Sequence, residues 1–380
     1  MAARARLVAV LLVTVLAALT RWVAVRDLPP DYDELVYLPV SFHYAERMTA
    51  GRWWEISGFT ENPEHPPLGK IVFGAALRAS GAAEPAWEQL QVGQPLPPEA
   101  VPAFRAPRQV SAAAGVLQVA LAALAAPAGG AWLALDTYHV KYSAEAMLEG
   151  MAGLFALLAV LCFERAIRRR APVGLLAESA EAGPGWLLAA GLALGLATST
   201  KYAYGLVAGL AMLPFLLRHT RGRLALRLGF AVAVLAAFVA TDPALWHDPF
   251  GRLWRSVGFH FDYAVGEHVK EVGYPWWQPL AWLTVPYPDR WHPGVFKVAF
   301  LDWLLLPAAL LSMPAAWRRR PVFVAWAASG LLFVLVWPTR WPQYTMMFRP
   351  ALAVCVGLGL SAILERITHG RRLDDGLTLR

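Results

Sequence analysis

Long apolar blocks bounded by arginines recur along the whole chain and constrain its fold more than any other feature. Each is rich in Leu, Ala and Val, and many run for about the 20 residues that a helix needs to cross a bilayer. A helix suits this setting because it satisfies its backbone N–H and C=O groups internally. The sequence therefore predicts an all-α, polytopic integral membrane protein with about ten transmembrane helices in one domain, residues 1–380. The predicted spans are Leu7–Val25, Leu68–Ser80, Gln109–Ala126, Ala146–Phe163, Gly185–Ser199, Ala203–Leu217, Leu224–Ala240, Val295–Leu311, Val322–Val336 and Pro350–Ile363.

The composition excludes two other classes of protein. Hydrophobic residues make up 57% of the chain and charged residues only 16%, whereas about a quarter of a soluble domain is charged. The net charge of +7 does not indicate a nucleic-acid partner, because the arginines lie at helix ends and not on one amphipathic face. The two cysteines, Cys162 and Cys355, lie inside apolar blocks. No disulfide framework or cysteine metal site is expected.

The distribution of arginines predicts the orientation of the chain. Cytoplasmic ends of membrane helices carry an excess of Lys and Arg. We expect the cytoplasmic set to be Arg4, Arg6, Arg105, Arg108, Arg165, Arg168, Arg169, Arg170, Arg218, Arg221, Arg223, Arg318, Arg319, Arg320, Arg366, Arg371 and Arg372. The other side then receives a first outer loop at residues 26–67, a short segment at 136–145, a long outer loop at 241–293 and a small loop at 337–344.

The first outer loop contains the most informative motifs. The acidic run Asp31-Tyr32-Asp33-Glu34 follows the first span, and the run NPEHPPLGK (62–70) leads into the second. Between them, residues 33–50 have apolar side chains at helical spacing, which indicates an amphipathic helix on the membrane surface. A carboxylate at this boundary could act as a general base. Lys70 lies about one turn inside the next apolar block, where a cation needs an anion such as a lipid phosphate.

These motifs together resemble the glycosyltransferase-C superfamily. The resemblance is closest to bacterial phospholipid-carrier-dependent glycosyltransferases and protein O-mannosyltransferases. It continues more loosely in HVKYSAEAMLEG (139–150), in GLALGLATSTKY (191–202) and in YTMMFRP (344–350). Firm motifs occupy only the first 75 residues or so, although the looser ones extend over most of the chain. The region 115–139 looks shorter than in relatives, and we expect the chain to lack the extra helices or soluble domain that many of them carry at the C-terminus.

The resemblance implies a chemistry and a set of site residues. A hexosyl or pentosyl group on a polyprenyl-phosphate carrier would pass, with inversion, to an acceptor hydroxyl of a protein, lipid or glycan. Asp33 would be the base, Glu34 would position the acceptor or support Asp33, and Glu149, or alternatively Glu145, would be the second acid. Substrate binding is expected from His65, Lys70, Lys141, Lys201, Arg340 and Tyr344. No cofactor is certain, a divalent metal stays open, and the site would face the extracytoplasmic side of the cell membrane.

Each of these residues also has a purely structural interpretation. Asp33 and Glu34 could cap the amphipathic helix, and Lys70 could extend its ammonium group out to water. The histidines 247, 260, 268 and 292 match no metal-ligand spacing. A transporter or flippase of a lipid-linked substrate is the alternative function. It should show two related halves or paired broken helices, and the sequence shows no internal repeat.

Overall fold

The fold is given by a computed structural model that describes residues 2–58, 61–167, 183–286, 294–296, 298 and 300–377. Within these ranges the regular elements are helices, and no β-strand is present. The α-helices are α1 Ala2–Asp27, α2 Tyr32–Thr49, α3 Glu55–Gly58, α4 Leu68–Ser80, α5 Val101–Ala125, α6 Pro127–Leu135, α7 Thr137–Ala144, α8 Leu148–Ile167, α9 Pro184–Thr200, α10 Tyr202–His219, α11 Leu224–Thr241, α12 Pro249–Ala264, α13 Glu267–Val272, α14 Gln278–Ala281, α15 Phe300–Arg319, α16 Pro321–Val336 and α17 Arg349–Leu377. Short 3₁₀ turns lie at Trp87–Gln89, Pro243–Leu245 and Pro342–Met347.

Six helices in the described ranges are long and apolar enough to cross a bilayer. They lie in α1, α5, α8, α11, α15 and α17. The outward faces of α1 and α11 are apolar, and Leu12, Val232 and Leu235 are each at least 60% exposed. Faces of this kind suit lipid and not water. The predicted all-α membrane architecture is confirmed, while the number of about ten spans stays a prediction.

Helices α1 and α5 run antiparallel along their whole length. Arg6 at the start of α1 donates to the carbonyl of Leu124 at the end of α5 (2.5 Å). At the opposite ends, Arg108 in α5 donates to the carbonyl of Leu28 just after α1 (2.6 Å). We call this second side, where α1 ends, the loop side. Arg105 and Arg108 therefore lie at the opposite end of the helices from Arg4 and Arg6, and the prediction that all four share one side is wrong.

Helix α4 is not the second span that the sequence predicts. It has 13 residues, so it is about 20 Å long, which is too short for a hydrocarbon core of about 30 Å. It packs against α2, and the chain after it stays on the loop side, because Gly93 N donates to Pro30 O (3.0 Å). Trp87 packs between Phe42 of α2 and Phe104 of α5. The first outer segment thus continues to the start of α5 at Val101, well beyond the predicted end at residue 67.

The chain turns back after α5 through a broken helix that the sequence analysis missed. Helix α6 packs beside α1, and the Arg21 guanidinium donates to Ala134 O (2.6 Å). Gly129 in α6 lies directly against the backbone of Ala353 in α17, so a side chain there would collide. Asp136 breaks the helix and caps α7 by accepting from His139 N (2.7 Å). This pair of short helices fills the region that looked compressed in the sequence.

The long outer segment after α11 carries the amphipathic helix α12. Its exposed side chains at helical spacing are apolar, namely Phe250, Trp254, Val257, Phe261 and Val265 at the helix end. Its opposite face is held to the first outer segment, where Arg252 donates to Ser57 O (2.9 Å). The final part of this predicted loop, residues 287–293 with His292, lies outside the described residues. So do Arg168, Arg169 and Arg170.

A fully buried ion pair joins the first outer segment to α5. The Arg108 guanidinium donates to both carboxylate oxygens of Glu34 at 2.8 and 2.6 Å, and the two side chains are 1% and 0% exposed. Arg108 also donates to Pro29 O (3.0 Å), and Glu34 accepts from Ala146 N (2.7 Å). A bidentate pair with every remaining bond satisfied can offset the cost of burying two charges. It fixes the start of α2 against α5 and the connection between α7 and α8.

We expect Glu34→Ala to destabilise the protein by about 3–5 kcal/mol, because it leaves Arg108 buried without its counter-charge. Thermal unfolding in detergent measures the effect. The matched control is Glu46→Ala, which removes an exposed partner of Arg52 at 3.2 Å and should cost about 1 kcal/mol or less. Equal losses of stability in the two variants would contradict a structural role for the Glu34–Arg108 pair.

Candidate active site

A cavity of about 700 Å³ opens on the loop side around Asp33. Its size lies in the range of small-molecule and cofactor pockets. The first outer segment, the α9–α10 junction, α12 and the 3₁₀ turn Pro342–Met347 contribute its walls. The residues that line it are Asp31, Tyr32, Asp33, Val36, Tyr37, Glu64, His65, Lys201, Phe259, His260, Tyr263, His268, Trp341, Gln343 and Tyr344.

The first turn of α2 holds the acidic run in a fixed geometry. Asp31, and not Asp33, is the N-cap; its side chain accepts from Asp33 N, and Glu34 returns a bond to Asp31 N (3.1 Å). This reciprocal arrangement is a capping box. Lys141 of α7 binds the other Asp31 oxygen at 2.6 Å. Burial opposes ionisation of Asp31, but the contact with Lys141 outweighs it and lowers the pKa of that carboxyl.

Asp33 is the carboxylate of this run that faces the cavity without a direct cationic contact in the described structure. Tyr37, one turn later, donates its hydroxyl to Asp33 Oδ2 at 3.4 Å. Burial raises the pKa of Asp33 to about 7, with Asp31 and Glu149 adding to the shift and Lys201 opposing it. A carboxyl group with a pKa near neutrality can both take up and release a proton under physiological conditions.

Glu149 and Lys201 form a second polar pair beside Asp33. Glu149 lies in the first turn of α8, Lys201 separates α9 from α10, and the ammonium binds Glu149 Oε1 directly. The other Glu149 oxygen is buried without a hydrogen-bond partner in the described structure. Lys201 also lies over the Tyr344 ring, 5.8 Å from its centre. Lys201 and Tyr344 therefore line one cavity with Asp33, and Glu149 is joined to this cavity through its ion pair with Lys201.

Glu34, Lys141 and Glu145 lie behind the cavity wall. Glu34 is occupied by Arg108 and the backbone, so its position favours support of Asp33 over contact with an acceptor. Lys141 is fully buried and bridges Asp31 to Glu145, whose two oxygens it binds at 2.7 and 2.6 Å. Lys141, Glu145 and Glu149 do not line the cavity themselves. Of the two candidates for the second acid, Glu149 is the one that is paired with the cavity residue Lys201 and that contributes to the raised pKa of Asp33.

Lys70 and His65 organise the NPEHPPLGK turn. The Lys70 ammonium donates to Asn62 O, Asn62 Oδ1 and His65 O at 2.7, 2.8 and 3.0 Å. All three of its hydrogens are thus used within the chain. His65 lines the Asp33 cavity, and burial together with Lys201, His260 and Lys70 holds its pKa well below the usual value. It is a neutral imidazole, and its buried Nδ1 has no partner in the described structure.

Arg340 and Arg349 lie at the far end of the site. Arg340 donates to Tyr274 O (2.9 Å), its carbonyl accepts from Trp282, and it does not line the cavity. Arg349 is fully buried and bound to Asp136, with Asp302 at 3.8 Å. Asp302, an expensive residue for an apolar span, accepts from Thr137 N (3.2 Å). This contact is a hydrogen bond between α15 and the first residue of α7.

Several cavity residues were not identified from the sequence. His260 donates from Nε2 to Glu64 O (2.7 Å), and the centre of its ring lies 5.3 Å from that of His65. His268 and Trp341 are in ring contact at 5.6 Å. The sequence feature that could have pointed to these residues is the high density of aromatic and histidine residues in the predicted outer loops. In the described ranges no group of three His, Cys, Asp or Glu residues is arranged to hold a metal ion.

The fold is similar to two solved membrane glycosyltransferases. ArnT from Cupriavidus metallidurans, bound to undecaprenyl phosphate, is 18% identical with a TM-score of 0.63, covering 92% of this chain and 60% of that one. The archaeal oligosaccharyltransferase AglB from Archaeoglobus fulgidus, in complex with an inhibitory peptide and a dolichol-phosphate, is 16% identical with a TM-score of 0.54, covering 98% and 52%. This chain thus spans little more than half the length of each. Among curated protein sequences, none matches it.

A family model gives a direct match at the level of sequence. The model of the dolichyl-phosphate-mannose-protein mannosyltransferases matches residues 43–242, more than half of the chain. The matched region contains the NPEHPPLGK turn, Glu149 and Lys201, which the structure brings to one end of the bundle. The resemblance to glycosyltransferase-C enzymes inferred from the sequence is confirmed, and the chain belongs to the dolichyl-phosphate-mannose-protein mannosyltransferase family.

Proposed function

We propose that this protein transfers a sugar, with inversion, from a polyprenyl-phosphate carrier to an acceptor hydroxyl on the extracytoplasmic side of the membrane. One observation carries the proposal. Asp33, a half-buried carboxyl whose pKa is about 7, shares a cavity of about 700 Å³ with Lys201 at the loop end of a membrane bundle. A proton acceptor and a cation in one chamber are what a displacement with an anionic leaving group requires.

The reaction is a single displacement at the anomeric carbon. The acceptor oxygen forms the new bond to this carbon, while the bond from the carbon to the phosphate oxygen breaks and its electron pair leaves with the carrier phosphate. Asp33 takes the proton of the acceptor hydroxyl. Since one displacement occurs on the face opposite the leaving group, the configuration of the sugar inverts.

Lys201 is the proposed partner of the leaving phosphate. It faces the cavity, and its ion pair with Glu149 offsets the free-energy cost of burying its charge while the donor is absent. A cation fixed beforehand at the position where negative charge develops stabilises the transition state with little reorganisation. Tyr344, against Lys201, and the neutral His65 complete the polar lining around the phosphate and sugar. Glu34, Lys70, Lys141 and Arg340 act as positioning residues.

The arginine distribution supports the proposed side. Arg4, Arg6, Arg165, Arg218 and the run Arg318–Arg320 lie at the ends of the helices opposite the Asp33 cavity. An excess of arginine marks the cytoplasmic side, so the cavity would face away from the cytoplasm. The proposal also includes the cell membrane as the location, a hexosyl or pentosyl group as the sugar, and a hydroxyl of a protein, lipid or glycan as the acceptor.

We expect Asp33→Asn to lower transfer by about 10²–10⁴-fold, because the amide cannot accept the proton of the acceptor hydroxyl. The measurement is consumption of radiolabelled polyprenyl-phosphate mannose, and of a pentose analogue, in membranes containing the protein. Asp262→Asn, an exposed position on α12 outside the cavity lining, is the control and should transfer normally. Movement of intact labelled lipid across the bilayer without cleavage would indicate a transporter and contradict the proposal.

The transfer rate should rise about tenfold between pH 6 and pH 8. A base works in its ionised form, and with a pKa of about 7 Asp33 is mostly protonated at pH 6 and mostly ionised at pH 8. A rate profile at saturating donor gives the midpoint. A flat profile across this interval, with chemistry as the slow step, would contradict Asp33 as the base.

Replacing Lys201 by glutamine should lower kcat by about 10²–10³-fold, the usual range for removal of one transition-state contact. Lys201→Gln also leaves Glu149 buried without a counter-ion, so the double variant Lys201→Gln/Glu149→Gln separates the two effects. We expect activity to stay low in the double variant. Recovery to the wild-type rate would show that Lys201 acts only by neutralising Glu149. Lys270→Gln, an exposed lysine on α13, is the matched control.

A further inference from the structure

A second cavity system lies between α1 and α5, apart from the Asp33 cavity. It consists of two adjoining cavities of about 420 and 400 Å³ that share Val25, Arg26 and Arg105, and we call it the α1–α5 groove. No residue that lines it also lines the Asp33 cavity. The groove begins at the loop side, beside Leu28, and continues along the flank of the two helices towards the interior of the bilayer.

The deeper part of the groove is apolar and faces lipid. Ala112, Ala113 and Val116 of α5 form one wall, and Trp22 of α1 forms the other. Trp22 is 68% exposed, which places an interfacial aromatic side chain at the rim of the groove. Small residues on α5 leave room beside it for a hydrocarbon chain.

The mouth and floor of the groove are strongly cationic. Four arginines line it, namely Arg21, Arg26, Arg105 and Arg108, against one carboxylate, Asp27. Arg26 is paired with Asp27 at 2.5 Å, and Arg108 is paired with Glu34 behind the wall.

The other two arginines contact no carboxylate within the part of the chain that the structure describes. Arg21 is 1% exposed and donates to the carbonyls of Leu133 and Ala134 and to Ser143. Arg105 is exposed at the mouth. The groove therefore carries an excess of positive charge beside an apolar channel. Because cations at membrane depth are costly unless an anion approaches them, we expect an anionic group to bind here.

We propose that the α1–α5 groove binds an anionic phospholipid of the bilayer. The phosphate would lie between Arg26 and Arg105, because guanidinium groups match phosphate oxygens with paired hydrogen bonds. One acyl chain would lie along Trp22 and Ala113. The occupant is a bilayer phospholipid and not the sugar carrier, because the buried Glu34–Arg108 pair separates the groove from Asp33 and the two cavities share no wall residue.

Native mass spectrometry of the delipidated full-length protein tests this site. The probes are phosphatidylglycerol, phosphatidylcholine, undecaprenyl phosphate and inorganic phosphate. We expect phosphatidylglycerol to bind more tightly than phosphatidylcholine. Arg26→Gln/Arg105→Gln should weaken it by about fivefold for each arginine, about 25-fold together. The charge-matched control Arg78→Gln/Arg255→Gln, two exposed arginines outside the groove lining, should bind like wild type.

A second variant keeps the proposal testable if the double arginine variant fails to fold. Ala113→Phe retains every arginine and fills the apolar channel, so it should weaken phosphatidylglycerol binding while gel filtration shows a normal particle. Unchanged binding in a folded Ala113→Phe or Arg26→Gln/Arg105→Gln protein would overturn the site. Displacement of phosphatidylglycerol by an equal concentration of undecaprenyl phosphate would assign the groove to the carrier. Displacement by inorganic phosphate would reduce it to a simple anion site.

Discussion

Charge pairing in a medium of low polarity is the constraint on which the loop side of this protein depends. A buried ion without a partner costs several kcal/mol, and four buried cations on this side of the protein are accordingly bound to carboxylates. Arg108 binds Glu34, Lys141 binds Asp31 and Glu145, and Lys201 and Arg349 have partners of their own. Among the described residues, Asp33 faces the cavity with a hydrogen bond from the Tyr37 hydroxyl and without a direct ion pair. Its raised pKa follows from this distribution of partners, since burial is not offset by a direct ion pair.

The same pairing explains why the three carboxylates of the acidic run have different roles. Asp31 closes the first turn of α2 and is held ionised by Lys141, while Glu34 anchors that turn to α5 through Arg108. Both carboxylates are used to fix the backbone of the first turn of α2. Asp33, between them, is therefore held in place without using its own carboxylate for structure. A base fixed by its neighbours in sequence loses little freedom when substrate binds.

The sequence was sufficient for the fold class and for the helix that became α2, and it singled out four residues that the structure brings to the Asp33 cavity or next to it. Asp33, Glu149, Lys201 and Tyr344 are far apart in the chain, and only the motif resemblance placed them together. The sequence could not show which neighbour each apolar block or charged side chain would contact. An apolar block such as Leu68–Ser80 has the same pattern whether it faces lipid or packs against another helix, and its length is the feature that argues against a span.

The predicted roles of the arginines and lysines failed for the same reason, because the sequence does not show their contacts. Arg108 looked like a cytoplasmic anchor because a count of charges cannot distinguish a solvated arginine from one buried against Glu34. Lys70 looked like a phosphate ligand, yet its hydrogens are used by the turn that precedes it. Helix α6 was missed because Gly129 and Gly130 interrupt its apolar pattern. Those glycines permit close contact with neighbouring backbone, a need that becomes visible only in three dimensions.

Arg349 carries a consequence for how the protein is made. It binds Asp136, which precedes it by 213 residues, and Trp282 O, which precedes it by 67. Membrane helices leave the ribosome in order, so Asp136 and Asp302 are synthesised and inserted before their cation exists. The chamber around Tyr344, which lies one turn before Arg349, is therefore closed by the arrival of the last described helix. Assembly of the site is therefore a late event, because a nascent chain that stops short of α17 lacks the cation that contacts Asp136 and Asp302.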